Sequence, residues 1–462
     1  MIPVRPGRKA NLIMKTQILV LTAILAGGAL SSSPAQTKQA SSLRVGAAKV
    51  DITPDRSALP ASTLGILDRL NVRAIVIDNG ATSAALVSVD TGAINDGTWR
   101  DVSQRMEKEL GIPAGNVFMT ATHTHSSGRT PGLPEGIFQA VKTAKEKLQP
   151  ARMGYGTGVS YLNVQRDYID PKTRNWWEGA NYDGASDKTV AVIKFETPAG
   201  EPIAVYYNYA MHAVITGTLD MVSADAPGAA SNYIEDSFDD KIVALWSTGA
   251  EGDQNPIYFQ QTFDLRDIRI KDYAKRGQDI SNAMPPGGQG MDRTNPAVVK
   301  LMNQQKQMIL TMGQMLGEEV KRVMRLTDRT VSNVAISSNQ KTVTCPGRQR
   351  TDGDSRAGSA ATYKDANPVD LRLSLLTLGD VAIAGVPAEV YSGIETRLKK
   401  ESPYARTIMA TLTNGSAASG YIPDDASFGH YTFEVLSSRL KPGCAESAIV
   451  NGELDMMAEG KK

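Results

Sequence analysis

The sequence predicts an α/β fold of mixed β-sheets with surrounding helices, gathered in a single large domain. Three observations predict it. Short apolar runs of strand length recur along the chain, helical segments stand between them, and no Ser/Gly linker, internal repeat or charge block marks a boundary. Polar side chains also sit repeatedly just past the strand ends, where open α/β sheets place their ligand crevices.

The amino terminus reads as a targeting segment. Met14-Lys15 opens an apolar run from Ile18 to Ala26 that ends in small residues and a Ser33-Pro34-Ala35 step. That is the pattern of a secretory signal with a small-x-small cleavage site, too short for a permanent membrane span. Residues 1–13 read as an upstream extension, so 1–35 are expected to be removed and 36–462 to form the domain, in the periplasm or outside the cell. The same run could also be a retained amphipathic anchor. No later segment is long and apolar enough to cross a membrane. Loss of Arg5, Arg8, Lys9 and Lys15 turns the formal charge of +1 slightly negative. A balance so near neutrality carries no electrostatic footprint for nucleic acid. Cys345 and Cys444 are the two cysteines; in an exported chain they either pair or stay buried as thiols.

The elements follow in order. Val72–Ile77 and Ala85–Val89 read as strands, Val102–Leu110 as helix, and Val117–Ala121 as a strand running into Thr122-His123-Thr124-His125-Ser126. Further strands are expected at Val190–Phe195, Ile203–Tyr209, Ile242–Trp246 and Val381–Val386. Residues 258–295 are rich in Gln, Asp, Arg, Gly and Pro, with poor periodicity; they read as a surface excursion or lid. A helix from Pro296 to about Leu326 follows, with Val299, Met302, Met308, Met312, Met315 and Val320 as its apolar stripe.

The chemistry concentrates after strands. His123 and His125 spend two of only four histidines on one His-x-His pair. On a strand, residues i and i+2 share a face about 6.7 Å apart, so both imidazoles would converge on a small volume. A metal site and a hydrogen-bonded pair at a sheet end both fit that pattern. His212 follows a second strand and Asp253 a third. Glu389 lies past a fourth, opening a helix expected over Val390–Lys399. Singly, His212 reads as a core histidine and Glu389 as a helix N-terminal acid; four polar strand ends together are hard to assign to packing.

Several of these motifs, in this order, resemble the neutral/alkaline ceramidase family. Val45-Gly46-Ala47-Ala48-Lys49-Val50-Asp51-Ile52-Thr53-Pro54 is similar to its opening strand and Thr122–Ser126 to its central motif. Asn208-Tyr209-Ala210-Met211-His212, Gly252-Asp253 and Pro387-Ala388-Glu389-Val390 are similar to later segments, and Gly420-Tyr421-Ile422-Pro423 with Tyr431 to its closing one. The resemblance implies a zinc amidase domain holding one zinc per chain through His123, His212, Glu389 and Tyr421. It further implies that His125, Arg166 and Tyr431 face the substrate as catalytic groups, with Asp253 and Asn255 near it. Imidazole, carboxylate and phenolate ligands suit zinc, and the expected substrate is a lipid or other N-acyl compound. Tyr421 rather than His430 is expected to complete the zinc shell.

The chain departs from that family in three places. Gly252-Asp253-Gln254-Asn255-Pro256 puts Asn255 where the family has serine, Ser126–Pro131 alters a glycine-rich stretch, and the sequence ends soon after Tyr431, without room for a carboxy-terminal immunoglobulin-like domain. Esters or peptide-like amides therefore stay open as alternative substrates. So does a non-catalytic periplasmic binding protein with a structural zinc, closed by four protein ligands. An amidohydrolase barrel would need more metal ligands than His212 and His430 supply.

Overall fold

A computed structural model describes residues 42–128, 130, 132–280, 291–353 and 358–460. The proposed targeting segment lies outside the described residues. Among them, no helix is long and apolar enough to cross a membrane.

Three larger sheets carry the domain. In the first, strands run in the order Val117–Ala121, Ser83–Val89, Asn71–Asp78, Arg44–Asp51, Gln149–Pro150. The second is ordered Val243–Thr248, Pro202–Tyr209, Thr189–Glu196, Arg152–Val159, Thr330–Val331, and the third Ile336–Arg350, Tyr363–Leu378, Val381–Gly385, Arg406–Ala410. The predicted strands are therefore present, and the apolar runs are buried because each sheet is covered on both faces. One core gathers Ile75, Ile193 and Ile383 from the three sheets. The outer faces pack on helices: Asp96–Leu110 and Leu133–Glu146 on the first sheet, Asp225–Asp236 and Pro296–Leu326 on the second, Ser392–Glu401 and Ala445–Glu459 on the third.

Each sheet is mainly antiparallel but contains one parallel pair at its edge: 83–89 with 117–121, 202–209 with 243–248, and 381–385 with 406–410. The carboxyl ends of these pairs are knitted together. Thr411 N donates to Thr248 O (2.9 Å) and Ala121 N to Leu412 O (3.3 Å). Thr248 Oγ1 donates to Ala121 O (2.9 Å). Backbone groups that leave their own ladders thus find partners in the next sheet, as buried polar groups must.

Several expectations are corrected. The first helix starts at Asp96, well before Val102, because the Asn95 side chain caps it by accepting from Thr98 N at 2.8 Å. Glu389 does not open a helix: Glu389–Val390 pairs in parallel with Tyr421–Ile422, and the helix begins at Ser392. In Pro296–Leu326 the buried stripe is Val298, Met302, Ile309, Met312, Leu316, Val320, while Val299 and Met315 are exposed and Met308 half-buried. The methionines were a misleading guide, because their flexible thioethers serve on either face of an amphipathic helix. Within 258–295 the structure contains a helix, Gln260–Ala274, that buries Leu265 and receives Gln305 Nε2 on Thr262 Oγ1 (2.8 Å); residues 281–290 are not among the described ones. Cys345 and Cys444 form a disulfide, tying the strand 336–350 to the start of the last helix. In the chain-entropy account so long a loop is worth about 4 kcal/mol.

The first sheet is locked to the second layer by a buried charge cluster. Arg73 Nε lies 2.8 Å from Glu235 Oε1, and its Nη1 3.3 Å from Asp90 Oδ2, with all three side chains almost fully enclosed. Glu235 also accepts from Lys49 at 2.8 Å. Glu235→Ala strands a buried guanidinium, so we expect a loss of about 3–5 kcal/mol. Equilibrium urea unfolding of the variant checks it; a loss below about 1 kcal/mol would mean that Asp90 and Asn232 suffice to hold Arg73.

Candidate metal centre and active site

The site forms where the three parallel pairs end. The chain leaves the strand at Ala121, and Thr122 N is held by Val89 O at 2.9 Å. His123 takes a left-handed backbone (φ 62°), a conformation disfavoured for a residue with a Cβ and typical of functional sites. The convergence of the two imidazoles therefore comes from a strained turn and not from a shared strand face. His125 follows on that turn, its N–H donating to Ala213 O (3.1 Å). His212 N donates to Gln254 O (3.0 Å), and Glu389 N to Gly420 O (2.8 Å) in register with Tyr421. Gly252 lets these segments meet: its N–H donates to Val390 O at 2.9 Å, and a Cβ there would lie 2.8 Å from Val390 backbone.

The tautomers are fixed by backbone carbonyls, which only accept. His123 Nδ1 donates to Gly92 O (2.8 Å) and His212 Nδ1 to Glu251 O (2.7 Å). Both Nε2 atoms consequently face one carboxylate oxygen, Glu389 Oε2, at 3.1 and 2.9 Å. His125 Nε2 comes within 3.2 Å of His123 Nε2 from the exposed side. A neutral imidazole with a protonated Nδ1 has only a lone pair at Nε2, and a carboxylate only accepts. Such a cage is repulsive unless a cation sits in it. Without a metal a proton plays that part: burial opposes it, but Glu389 raises His123 above its ordinary range, while burial and Arg166 lower His212. Burial would raise the Glu389 carboxyl, yet the two histidines hold it well below the usual range. The donor set of two or three imidazoles and a carboxylate, each imidazole anchored through its other nitrogen, fits a divalent metal of the zinc type.

The remaining expected residues arrange around this cage. Tyr421 places its hydroxyl 3.2 Å from Arg166 Nη2, and burial together with Glu389 raises its pKa well above the ordinary value, so only an adjacent cation would make it a phenolate. Arg166 is enclosed. Its Nη2 donates to Gly252 O (2.8 Å), its Nη1 to Asn255 Oδ1 (3.1 Å) while lying 3.4 Å from His212 Nε2, and its Nε is 2.8 Å from Glu434. Asn255 in turn donates to Glu178 (2.7 Å), so it orients Arg166. The Asp253 carboxylate is occupied elsewhere: it accepts from Ser392 N and Oγ, both at 2.9 Å, and so anchors the start of a helix.

Tyr431 stands just ahead of the helix Phe433–Ser437. It is half-buried, its carbonyl accepts from Gly358 N (2.8 Å), and its ring makes no hydrogen bond to the cage among the described residues. The ring that packs edge-on against Tyr421 belongs to Phe433, with centroids 5.8 Å apart. Phe433 opens the helix Phe433–Ser437. His430 also lies apart, bonded to Asp167 (2.9 Å) and stacked on Trp176 (3.9 Å). Two acids escaped sequence reasoning. Glu251 is fully buried, grouped with His123 and Glu389, and pushed up to about 8 by burial. Glu434, also buried and pushed up to about 8, faces Arg166. Position in the same Gly-rich turn as Asp253 was the available signal for Glu251; nothing in the sequence singled out Glu434.

Comparisons with known proteins agree with this architecture. Residues 130–361 match the family model described as neutral/alkaline non-lysosomal ceramidase, N-terminal. The neutral ceramidase of Pseudomonas aeruginosa is 27% identical over 279 residues, which take in 50% of this chain and 41% of that protein. Neutral ceramidase A of Dictyostelium discoideum is 28% identical over 257 residues, 47% of this chain and 36% of its own. The matched stretches thus span less than half the length of these relatives. A crystal structure of the Pseudomonas neutral ceramidase superposes with a TM-score of 0.69 at 17% identity, covering 91% of this chain and 74% of that one. A ceramidase complexed with C2 superposes with a TM-score of 0.68, covering 91% and 75%. The superpositions establish a shared fold, the family model extends over half the sequence, and the chain belongs to the neutral/alkaline non-lysosomal ceramidase family.

Proposed function

We propose that this chain is an exported zinc-dependent hydrolase that cleaves an N-acyl amide bond, in ceramide or another N-acyl compound. The observation that carries the reading is the cage itself: His123 and His212, each pinned through Nδ1, aim Nε2 lone pairs at the Glu389 carboxylate within about a hydrogen-bond length. Family membership supports the reaction class. The targeting pattern at residues 14–35 supports export, as does the Cys345–Cys444 disulfide, a bond that persists in oxidising compartments.

His123, His212, Glu389 and Tyr421 would hold the zinc, which when bound would supply Lewis acidity and a water of lowered pKa. The protein's own groups do the rest. His125, on the open side of the cage, takes a proton from the attacking water and delivers it to the leaving amine, so that amide and water yield acid and amine. Arg166 keeps a fixed positive charge 3.4 Å from His212 Nε2, facing the negative charge that develops on the carbonyl oxygen. Its own hydrogen bonds to Gly252, Asn255 and Tyr421 prevent it from moving. Glu251 stays protonated near neutrality and adds no second negative charge to the cage.

Purified protein should carry about one zinc per chain, as a mononuclear site requires. Elemental analysis should show the metal lost from His123→Ala and His212→Ala but kept in His430→Ala, whose ring is committed to Asp167 and Trp176. Unchanged zinc in both cage variants would sink the metal assignment.

His125→Ala should retain zinc and lose turnover by about 10²- to 10⁴-fold on a panel of N-acyl lipids, N-acyl amino acids and esters. Loss of metal in that variant would make His125 a ligand, and cleavage of esters alone would favour an esterase.

Zinc uptake should also depend on pH. In the metal-free cage Glu389 keeps a proton on His123, so binding at neutral pH displaces it. With the Tyr421 hydroxyl proton released as well, affinity rises by about a hundredfold per pH unit until His123 is neutral in the metal-free protein, and by about tenfold per unit above. Calorimetry in buffers of differing ionisation enthalpy measures the released protons; no release at pH 7 would remove His123 from the shell.

A further inference from the structure

The outer end of the long hairpin, Ile336–Arg350 with Tyr363–Leu378, folds against the segment that supplies Phe433. Arg348 N donates to Arg439 O (2.8 Å), Arg348 Nε to Ser438 O (3.0 Å), and Tyr363 OH to Leu436 O (3.0 Å). Between them lies a cavity of about 410 Å³ whose polar lining includes Arg348, Arg350, Arg439, Ser437 and Ser438, with Phe433 as an apolar wall. Phe433 is the same ring that packs on Tyr421, so the cavity and the Tyr421 side of the site share one aromatic side chain.

The charges in this cavity do not balance. Arg348 is held by backbone carbonyls and lies between the rings of Tyr363 (3.9 Å) and Phe428 (5.1 Å), with no carboxylate partner among the described residues. Arg350 uses Nε on Asp352, but its Nη2 is buried and has no hydrogen-bond acceptor. Arg439 is exposed and makes no ion pair among the described residues. Among the described residues three guanidinium groups therefore line the cavity against one carboxylate, and one of their buried N–H groups, on Arg350 Nη2, lacks an acceptor. Guanidinium is also the side chain whose geometry best matches a planar or tetrahedral oxyanion.

We propose that this cavity binds an oxyanionic head group, a carboxylate, sulfonate or phosphate, carried by the N-acyl substrate. The chain then prefers anionic N-acyl amphiphiles to neutral ones. This rests on the hydrolase reading above, with the amide at the metal cage and the head group beyond Phe433.

Calorimetric binding of the glycine conjugate N-lauroyl-triglycine, whose carboxylate reaches about 10 Å beyond the lauroyl amide, and of its neutral terminal carboxamide to the zinc-loaded His125→Ala protein tests it without turnover. The glycine conjugate should bind at least about tenfold more tightly, the scale of one charge-assisted hydrogen bond. Arg350→Gln with Arg439→Gln should abolish that advantage and leave the neutral probe unchanged. Arg439→Gln alone, at an exposed position, should reduce it in a protein whose fold is not in question. Inorganic phosphate should compete with the glycine conjugate. Equal binding of the two lauroyl probes overturns the proposal, including the case in which phosphate alone binds through the arginines, which would make the cavity a free-anion site. The hydrolase reading fails separately, if wild type cleaves neither probe while the arginine-dependent preference persists.

Discussion

Two hydrogen bonds from imidazole Nδ1 to backbone carbonyls constrain everything at the centre of this molecule. Gly92 O and Glu251 O can only accept, so His123 and His212 must present bare lone pairs inward, against a carboxylate that is itself only an acceptor. Buried groups of like polarity do not hold this arrangement by themselves. A positive charge has to be present among them, either a proton that Glu389 holds on His123 or a metal ion.

The surrounding architecture follows from the need to bring distant segments to one point. Each of the three sheets reverses its antiparallel habit once, at an edge, and the ends of those parallel pairs abut. Strand ends expose backbone polar groups, and here they satisfy one another across sheets through Thr248, Thr411 and Ala121. Arg166 plays the corresponding part among side chains. By touching Gly252, Asn255, Tyr421 and Glu434 at once, it links the Gly-Asp turn, a short strand, the closing segment and the helix that follows.

Much of this was legible in the sequence, for identifiable reasons. Strands buried on both faces announce themselves as continuous apolar runs, and Val72–Ile77 and Val190–Phe195 could hardly be anything else. His123, His212 and Glu389, which the fold brings together, were legible only jointly: each has a structural reading by itself, but several polar strand ends in one chain are hard to assign to packing. What failed depended on local geometry that composition does not encode. His123 sits in a left-handed turn, so the two-residue spacing converged for a different reason than strand periodicity. The closing segment hid a short helix, whose first residue Phe433 packs on Tyr421. Asp253 was more conspicuous than Glu251, although it caps a helix while Glu251 borders the cage. Glu434 has meaning only through Arg166, a contact across more than half the chain.

The spacing of the cage along the sequence also dictates an order of assembly. His123 emerges early in synthesis, whereas Glu389 and Tyr421 arrive only near the end, and the parallel bridge that joins those last two must form before the cage is complete. A growing chain therefore offers a passing ion the imidazoles of His123, His125 and His212 without the carboxylate that His123 and His212 share. Cofactor acquisition is confined to the finished fold, and a chain that crossed a membrane unfolded would load its metal from the compartment where it arrives rather than from the one where it was made.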